Sequence, residues 1–338
     1  MDVCITSITH PPYFIFLKDH LLSMKEAVIR HPEVRCYLLA SGLDEGARKD
    51  LRSIIDKNGF AQLTLIEEKE RYTIGEARNR LFQETHNEWV LFTDCDTILD
   101  RNYIHNMKSF FNQKKFENVG AVAGSIGIAK NATKFGYFEG LMDIVALNGK
   151  IKKIDKSIFD NILTDTGASQ EAEECERNLY NASLSFSGSE IGYLQGFNQV
   201  IHRDIYTKTG GFDERFISAE DRDMAANVWR SNKRVIFAPE CKIYHIYNFP
   251  LKHILRRKYI HGIWSARFRE KYKQHSSIVP QYGFNKWMKY FLTCFAPKAP
   301  FNISVNSRIY FISAFLSYAY GCFIGSIYKL QESVARNV

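Results

Sequence analysis

At 338 residues, 45% hydrophobic and 14% aromatic, the chain has room for one large domain or two smaller ones and enough apolar material for a sizeable core, which excludes wholesale disorder. Its seven cysteines are scattered without a CxxC pair, which argues against a zinc site or a disulfide framework and fits a reducing compartment. The net charge of +8 conceals a division: residues 1–241 carry 30 Lys and Arg against 35 Asp and Glu, whereas residues 242–338 carry 15 against only Glu270 and Glu332, so the tail calls for an anionic partner (lipid head groups, a phosphate-bearing substrate or nucleic acid).

The opening stretch MDVCITSITHPPYFIF lacks a basic segment followed by a sustained apolar run, so no secretory signal is expected. Residues 3–8 read as a first strand, ending at His10-Pro11-Pro12. Residues 14–30 read as a helix, with Phe14, Leu17, Leu21, Met24 and Val28 on one face. A strand at 34–40, a helix at 44–57, a strand at 63–67, a helix at 74–85 and a strand at 89–93 follow. Strands alternating with helices indicate βαβ units and a parallel sheet.

The chemistry centres on residues 88–100, EWVLFTDCDTILD. Trp89-Val90-Leu91-Phe92 has the composition of a strand buried on both faces. Asp94 and Asp96 stand just past its carboxyl end, where open α/β sheets bind ligands. In extended backbone, residues i and i+2 point the same way, so both carboxylates are expected to face one hard cation, Mg²⁺ or Mn²⁺. An isolated DxD also serves as an ordinary turn or helix cap.

Beyond it, residues 101–112 read as a helix and 119–128 as a strand. Residues 130–190 are weakly patterned: Glu171, Glu173, Glu174 and Glu176 suit a solvated helix and the polar run 183–189 a surface loop, although a long segment of this kind in an enzyme is often a lid. A strand at 197–202, a short helix at 203–209, a turn at Gly210-Gly211-Phe212, a helix at 220–231 and a strand at 235–238 complete the patterned part. Glu220-Asp221-Arg222-Asp223 opens the later helix; acids there complement the helix dipole, and a carboxylate so placed is also a candidate general base.

Residues 252–273 form a basic helical segment, and 309–328 contain twenty residues without a charge. Three readings compete for the latter: a membrane span, an interfacial helix, or a buried amphipathic helix. Its tyrosines and basic flank favour the interface, and Gly321 and Gly325 make a GxxxG that hints at helix packing. No nucleic-acid module accompanies the charge, so nucleic acid is not expected as a partner.

Four features in order resemble glycosyltransferase family 2, the inverting, nucleotide-sugar-dependent enzymes of GT-A fold: Gly75-Glu76-Ala77-Arg78-Asn79, Asp94-Cys95-Asp96, Gly210-Gly211-Phe212-Asp213-Glu214 with Glu220-Asp221, and His245 after the next strand. The likeness covers roughly residues 1–270. It implies an α/β GT-A catalytic domain over 1–250, with a nucleotide-sugar half at about 1–100 and an acceptor half at about 101–250, followed by a helical, basic, membrane-associating region over 251–338. It implies Mn²⁺ or Mg²⁺ held by Asp96, Asp94 and His245, with Asp94 also on the donor ribose. It implies Asp221 as catalytic base, Glu220 orienting the acceptor, and Arg78 either neutralising phosphate or pairing with a sheet-end carboxylate. The family's aspartate pair after the second strand is replaced by Ala40-Ser41-Gly42, which leaves Ser7, Thr9 and Ser41 as donor contacts and a UDP-sugar as the leading expectation. The chain so read adds one sugar to a glycan or lipid-linked acceptor in bacterial surface polysaccharide synthesis, at the cytoplasmic face of the inner membrane. Rival readings are a non-catalytic scaffold, supported by the missing aspartates, and a nucleotidyltransferase, opposed by His10-Pro11-Pro12 where a Gly-rich phosphate loop belongs.

Overall fold

In the computed structural model, residues 2–113, 117–130, 132–133, 136, 139–140, 143, 169–192, 194–275 and 305–327 are described. The chain falls into two compact units: Met1–Lys130 with Phe186–Ile246, and Asn131–Ser185 with Tyr247–Val338.

The first unit is built on an eight-stranded sheet. Its strands are β1 (Val3–Thr9), β2 (Cys36–Ser41), β3 (Leu63–Glu68), β4 (Trp89–Asp94), β5 (Thr97–Leu99), β6 (Val119–Ile128), β7 (Gln199–His202) and β8 (Arg234–His245), in the order β3-β2-β1-β4-β7-β6-β8-β5. The first four pair in parallel, as the alternation of strand and helix predicts. Past β4 the sheet is mixed, because β7 runs antiparallel to both β4 and β6, β6 and β8 are parallel, and β5 is antiparallel to β8.

Helices α1 (Leu17–Val28), α2 (Glu45–Asn58), α3 (Ile74–Glu84), α4 (Tyr103–Gln113), α6 (Arg203–Thr209) and α7 (Glu220–Arg230) belong to this unit. The first predicted helix begins later than its apolar spacing suggests: Pro11-Pro12 start a 3₁₀ turn over Pro11–Phe16, and the α-helix opens at Leu17. Leu17, Leu21, Met24 and Val28 then face one large core, with Val3 and Ile5 of β1, Leu38 of β2, Leu91 of β4 and Met107 of α4. Each side chain of this size taken fully from water contributes about 1.5–3 kcal/mol. On the other face, Ala77 and Leu81 of α3 cover Ile8 and Leu39.

Two features lie beyond the periodic signal. Strand β5 has only three residues and follows β4 after a two-residue turn. Strand β8 is twelve residues long, well past the four predicted, because its pairing with β6 jumps from Gly124↔Ala238 to Ser125↔Lys242. The extra residues form a bulge, a device that bends a strand and re-aims its end. The buried Asn198 side chain donates to Ser125 O (2.8 Å) and Cys241 O (3.0 Å), and Ser125 Oγ donates to Pro239 O (2.7 Å), so side chains satisfy the carbonyls that the bulge takes out of the ladder. The bulge takes up three residues of β8, and with that shift His245 stands opposite Ile128.

The second unit contains α5 (Ser169–Leu184), α8 (Leu251–Lys271) and α9 (Val305–Ile327). The acidic cluster expected on a solvated helix falls in α5, where Glu174 is exposed. Helices α8 and α9 pack through a glycine seam. A Cβ on Gly262 would lie 2.2 Å from Tyr318 O, and one on Gly321 would lie 2.0 Å from Tyr259 O, so the backbones approach closer than any side chain permits. Gly325 continues the seam against Ile263, and the GxxxG hint is thereby realised. Among the described residues, no helix is long and apolar enough to cross a membrane.

Substituting Gly262→Leu should force α8 and α9 apart and cost roughly 1–3 kcal/mol, the usual range for overpacking. Equilibrium denaturation of the variant beside the wild type checks this; an unchanged midpoint would mean that the seam is not under contact.

Candidate functional site

The turn after β4 carries the two aspartates. Asp94 is the last residue of the strand, while Cys95 and Asp96 form the turn into β5, so the extended i, i+2 geometry expected for the pair is replaced by a turn. The turn is heavily braced. Thr97 Oγ1 donates to Asp94 O (2.7 Å) and meets Thr93 Oγ1 at 2.8 Å, and Cys95 N donates to Ile8 O (3.3 Å). Thr97 stands opposite His245 in the β5–β8 pairing, and Ile246 N donates to Asp96 O (2.8 Å). The end of β8 is therefore bound to the turn, and His245 Nε2 lies 3.5 Å from Asp96 Oδ2, with Phe197 against its ring (4.5 Å).

Helix α3 supplies the next part. Thr73 and Glu76 form a reciprocal capping box, which fixes where the helix begins and points Arg78 inward. Arg78 is 1% exposed. Its Nη1 donates to Glu220 Oε1 (2.8 Å), and its Nη2 donates to Gly196 O (2.8 Å) and Asp94 Oδ1 (3.3 Å). Of the two roles expected for Arg78, the structure shows the carboxylate pairing. The neighbouring Asn79 holds a different loop: Oδ1 accepts from Phe212 N (2.9 Å), and Nδ2 donates to Phe212 O (3.0 Å) and Glu214 Oε1 (2.8 Å). The loop reaches Asn79 because Gly210 and Gly211 take φ +79° and +86°, and a Cβ on Gly211 would lie 2.6 Å from Asn79 Oδ1. Only glycine adopts such angles without cost.

Helix α7 begins at Glu220 after Ala219, which has φ +67°. A non-glycine residue in this conformation costs about 1–2 kcal/mol, and such strain gathers at functional sites. Asp221 receives Gly196 N on Oδ2 (3.1 Å) and Arg222 N on Oδ1 (2.7 Å), which fixes its carboxylate. Gly196 thus ties both motifs together, through its carbonyl to Arg78 and through its N–H to Asp221.

Burial dominates the electrostatics. It pushes the Glu220 carboxyl up to about 7, helped by the neighbouring Asp221 and opposed by Arg78. It also raises Asp221, against the pull of Arg222 and Arg78, and raises Asp94, against Arg78 and with the help of Asp96. Burial alone would lower the Arg78 guanidinium, but Asp94, Glu220 and Asp221 outweigh it and hold its pKa above the usual value.

The expected donor contacts lie at the carboxyl ends of neighbouring strands. Ser7 and Thr9 are on β1 and Ser41 ends β2, with Ser7 in register with Thr93 and Ile8 with Asp94. All three are buried, and Ser41 Oγ accepts from Tyr72 N (3.4 Å). The geometry therefore brings Arg78, Asp94, Glu220 and Asp221 into one network and sets Asp96 and His245 beside it. Gly196 and the strained Ala219 have no motif in the sequence; the clue to Ala219 was its place immediately before two acids at a helix start.

Among the described residues, no three His, Cys, Asp or Glu side chains form a ready-made metal cage. Asp96 and His245 stand side by side, whereas Asp94 Oδ1 takes the Arg78 guanidinium; carboxylate oxygens of this kind suit Mg²⁺ and Mn²⁺, which are commonly bound by one or two carboxylates together with substrate phosphate.

A family model described as "Glycosyltransferase like family 2" matches residues 16–272. The chain belongs to this family. It is 22% identical over 233 residues to the O-antigen chain rhamnosyltransferase WbaN of Salmonella anatum, covering 66% of this chain; the chain spans 61% of that relative's length. Among solved structures, it is similar to a mannosyltransferase from Pyrobaculum calidifontis in complex with GDP-Man and Mn²⁺, at 15% identity and TM-score 0.55, covering 99% of this chain and 78% of the other. It is also similar to GalNAc-T7 with UDP, GalNAc and Mn²⁺, at 10% identity and TM-score 0.50, covering 87% and 58%. The fold of the chain is accordingly GT-A, as the ordered motifs imply.

Replacing Arg78 with Met should leave the Glu220 and Asp94 carboxyls buried without their cation and cost about 3–5 kcal/mol, the usual loss on breaking a buried pair from one side. Adding Glu220→Gln should restore part of the loss. Denaturation of the two single variants and the double variant measures this; strictly additive losses would show that the pair is not coupled.

Proposed function

We propose that this chain is an inverting glycosyltransferase that moves one sugar from a nucleoside diphosphate donor to a glycan or lipid-linked saccharide at the cytoplasmic face of a bacterial membrane. The observation that carries the reading is the buried network joining the turn of Asp94 and Asp96 to the start of α7, where Glu220 and Asp221 lie. A donor site and a base are thereby held by one set of hydrogen bonds, as a single displacement requires.

Asp96, with Asp94 and His245, would hold Mn²⁺ or Mg²⁺, which when bound neutralises charge on a leaving diphosphate. Ser7, Thr9 and Ser41, at the ends of β1 and β2, would contact the nucleotide, and Asp94 the ribose. Asp221 takes the proton of the acceptor hydroxyl as that oxygen attacks the anomeric carbon from the side opposite the diphosphate, so the configuration inverts. Its two backbone N–H bonds orient it, and burial raises its basicity above that of a surface aspartate. Glu220, locked by Arg78, lines the acceptor side. Arg78 positions both motifs rather than meeting the donor phosphate. The nucleotide is a set to test, since the mannosyltransferase is in complex with GDP-Man and GalNAc-T7 with UDP.

Thermal denaturation with Mn²⁺ and each of UDP, GDP, dTDP and ADP is expected to show a rise in melting temperature with one diphosphate, dependent on the metal and abolished in Asp96→Ala, because a ligand bound only by the native state stabilises it by mass action. No response to any diphosphate at millimolar concentration would favour a scaffold role. With the donor identified, Asp221→Asn should lower kcat by about 10²–10⁴, the usual contribution of a general base, and leave the diphosphate-induced shift intact. In the wild type, the raised Asp221 pKa should place the acidic limb of kcat/KM above the ordinary carboxylate value, with activity lost as pH falls through it. A profile flat to about pH 4 would remove Asp221 from the role.

A further inference from the structure

The tail holds a surface that the transfer site does not use. On α9, Leu316, Tyr320, Phe323 and Ile327 are each 57–60% exposed. At about 100° per residue they fall within a single stripe roughly 60° wide. The opposite face of the helix, with Ala314, Phe315, Tyr318, Gly321 and Cys322, is buried. Four of the eight large hydrophobic side chains that stand exposed among the described residues are on this helix, so the stripe is a patch rather than the scatter any surface shows.

A span is not the answer to this stripe. The exposed stripe takes only about 60° of the helix circumference, whereas a helix crossing a bilayer meets lipid on a broader face. The glycine seam also fixes the other face of α9 to α8, whose Lys252, Arg256 and Lys271 are exposed. Charge decides between a second copy of the chain and a lipid surface. The unit as a whole, residues 131–185 and 247–338, holds twenty cations against eleven acids, so its net charge opposes a second copy and attracts an anionic bilayer.

We infer that α9 lies flat in the head-group region of an anionic bilayer, with Leu316, Tyr320, Phe323 and Ile327 inserted toward the acyl chains. The apolar stripe and the cations of the same unit supply the two signals that stable attachment needs, and neither suffices alone. Tyr320 fits this depth, since its ring is apolar and its hydroxyl stays among the head groups. The inference does not depend on the transfer reaction.

The test is co-sedimentation of the full chain with vesicles of phosphatidylcholine alone or with about 30% phosphatidylglycerol. The wild type should partition at least tenfold more strongly to the anionic vesicles. The double variant Leu316→Ser, Phe323→Ser should lose at least tenfold of that partition while keeping any metal-dependent stabilisation by nucleoside diphosphate, which reads the transfer site separately. Phe323→Trp should shift its emission to the blue on anionic vesicles and be quenched by lipids brominated on the acyl chain; this arm decides alone if the double serine variant does not fold. Equal partition of the wild type and the double variant, or an unquenched tryptophan, would overturn the inference. So would a dimer in the absence of vesicles that the double variant dissociates, which would make the stripe a contact between copies.

Discussion

The guanidinium of Arg78 is the constraint on which the rest of the site depends. It is buried, it stays charged because three carboxylates surround it, and it reaches Asp94, Glu220 and the Gly196 carbonyl at once. Each of those groups belongs to a different part of the chain: the end of β4, the start of α7, and the loop before β7. A planar fork with donors on separate nitrogens holds three acceptors at fixed angles, whereas a lysine would offer its three donors from a single rotatable nitrogen. The cost of burying the carboxylates shows in their raised pKa values. That cost is borne by the packing of the sheet and its helices around the large apolar core of the first unit.

The bracing around this network explains why the motif residues are the types they are. Asn79 receives and donates backbone bonds to the Phe212 loop, and the loop can approach because two glycines take positive φ. The Tyr206 hydroxyl bonds to the same Asn79 oxygen. The three adjacent residues Ala77, Arg78 and Asn79 thus do three jobs: Ala77 packs on Ile8 and Leu39, Arg78 holds the acids, and Asn79 holds the turn. On the other side, the bulge in β8 takes up three residues and sets the register in which His245 meets Asp96.

Much of this was legible in the sequence. The apolar run at 89–92 with acids just beyond it marked β4 and its functional end, and the alternation before it marked the parallel half of the sheet. What the sequence hid is what arises from long-range pairing. A three-residue strand such as β5 has no periodicity to detect, and it exists only because β8 lies beside it. The second half of β8 was invisible because Pro239 interrupts the pattern at the bulge. The position of Arg78 was visible as a motif but its partners were not, since Glu220 is 142 residues away. In the tail, the glycine pair was readable as a packing signal, whereas the split of α9 into a buried and an exposed face appears only once α8 is in place.

The most direct test is a crystal structure with Mn²⁺ and the diphosphate that stabilises the protein, using anomalous scattering to locate the metal. The account predicts the metal bonded to the Asp96 carboxylate, with Arg78 still on Glu220 and Asp94 and with Asp221 on the side of the site remote from the diphosphate. Metal bound away from Asp96, or Arg78 withdrawn from Glu220 onto the diphosphate, would contradict it.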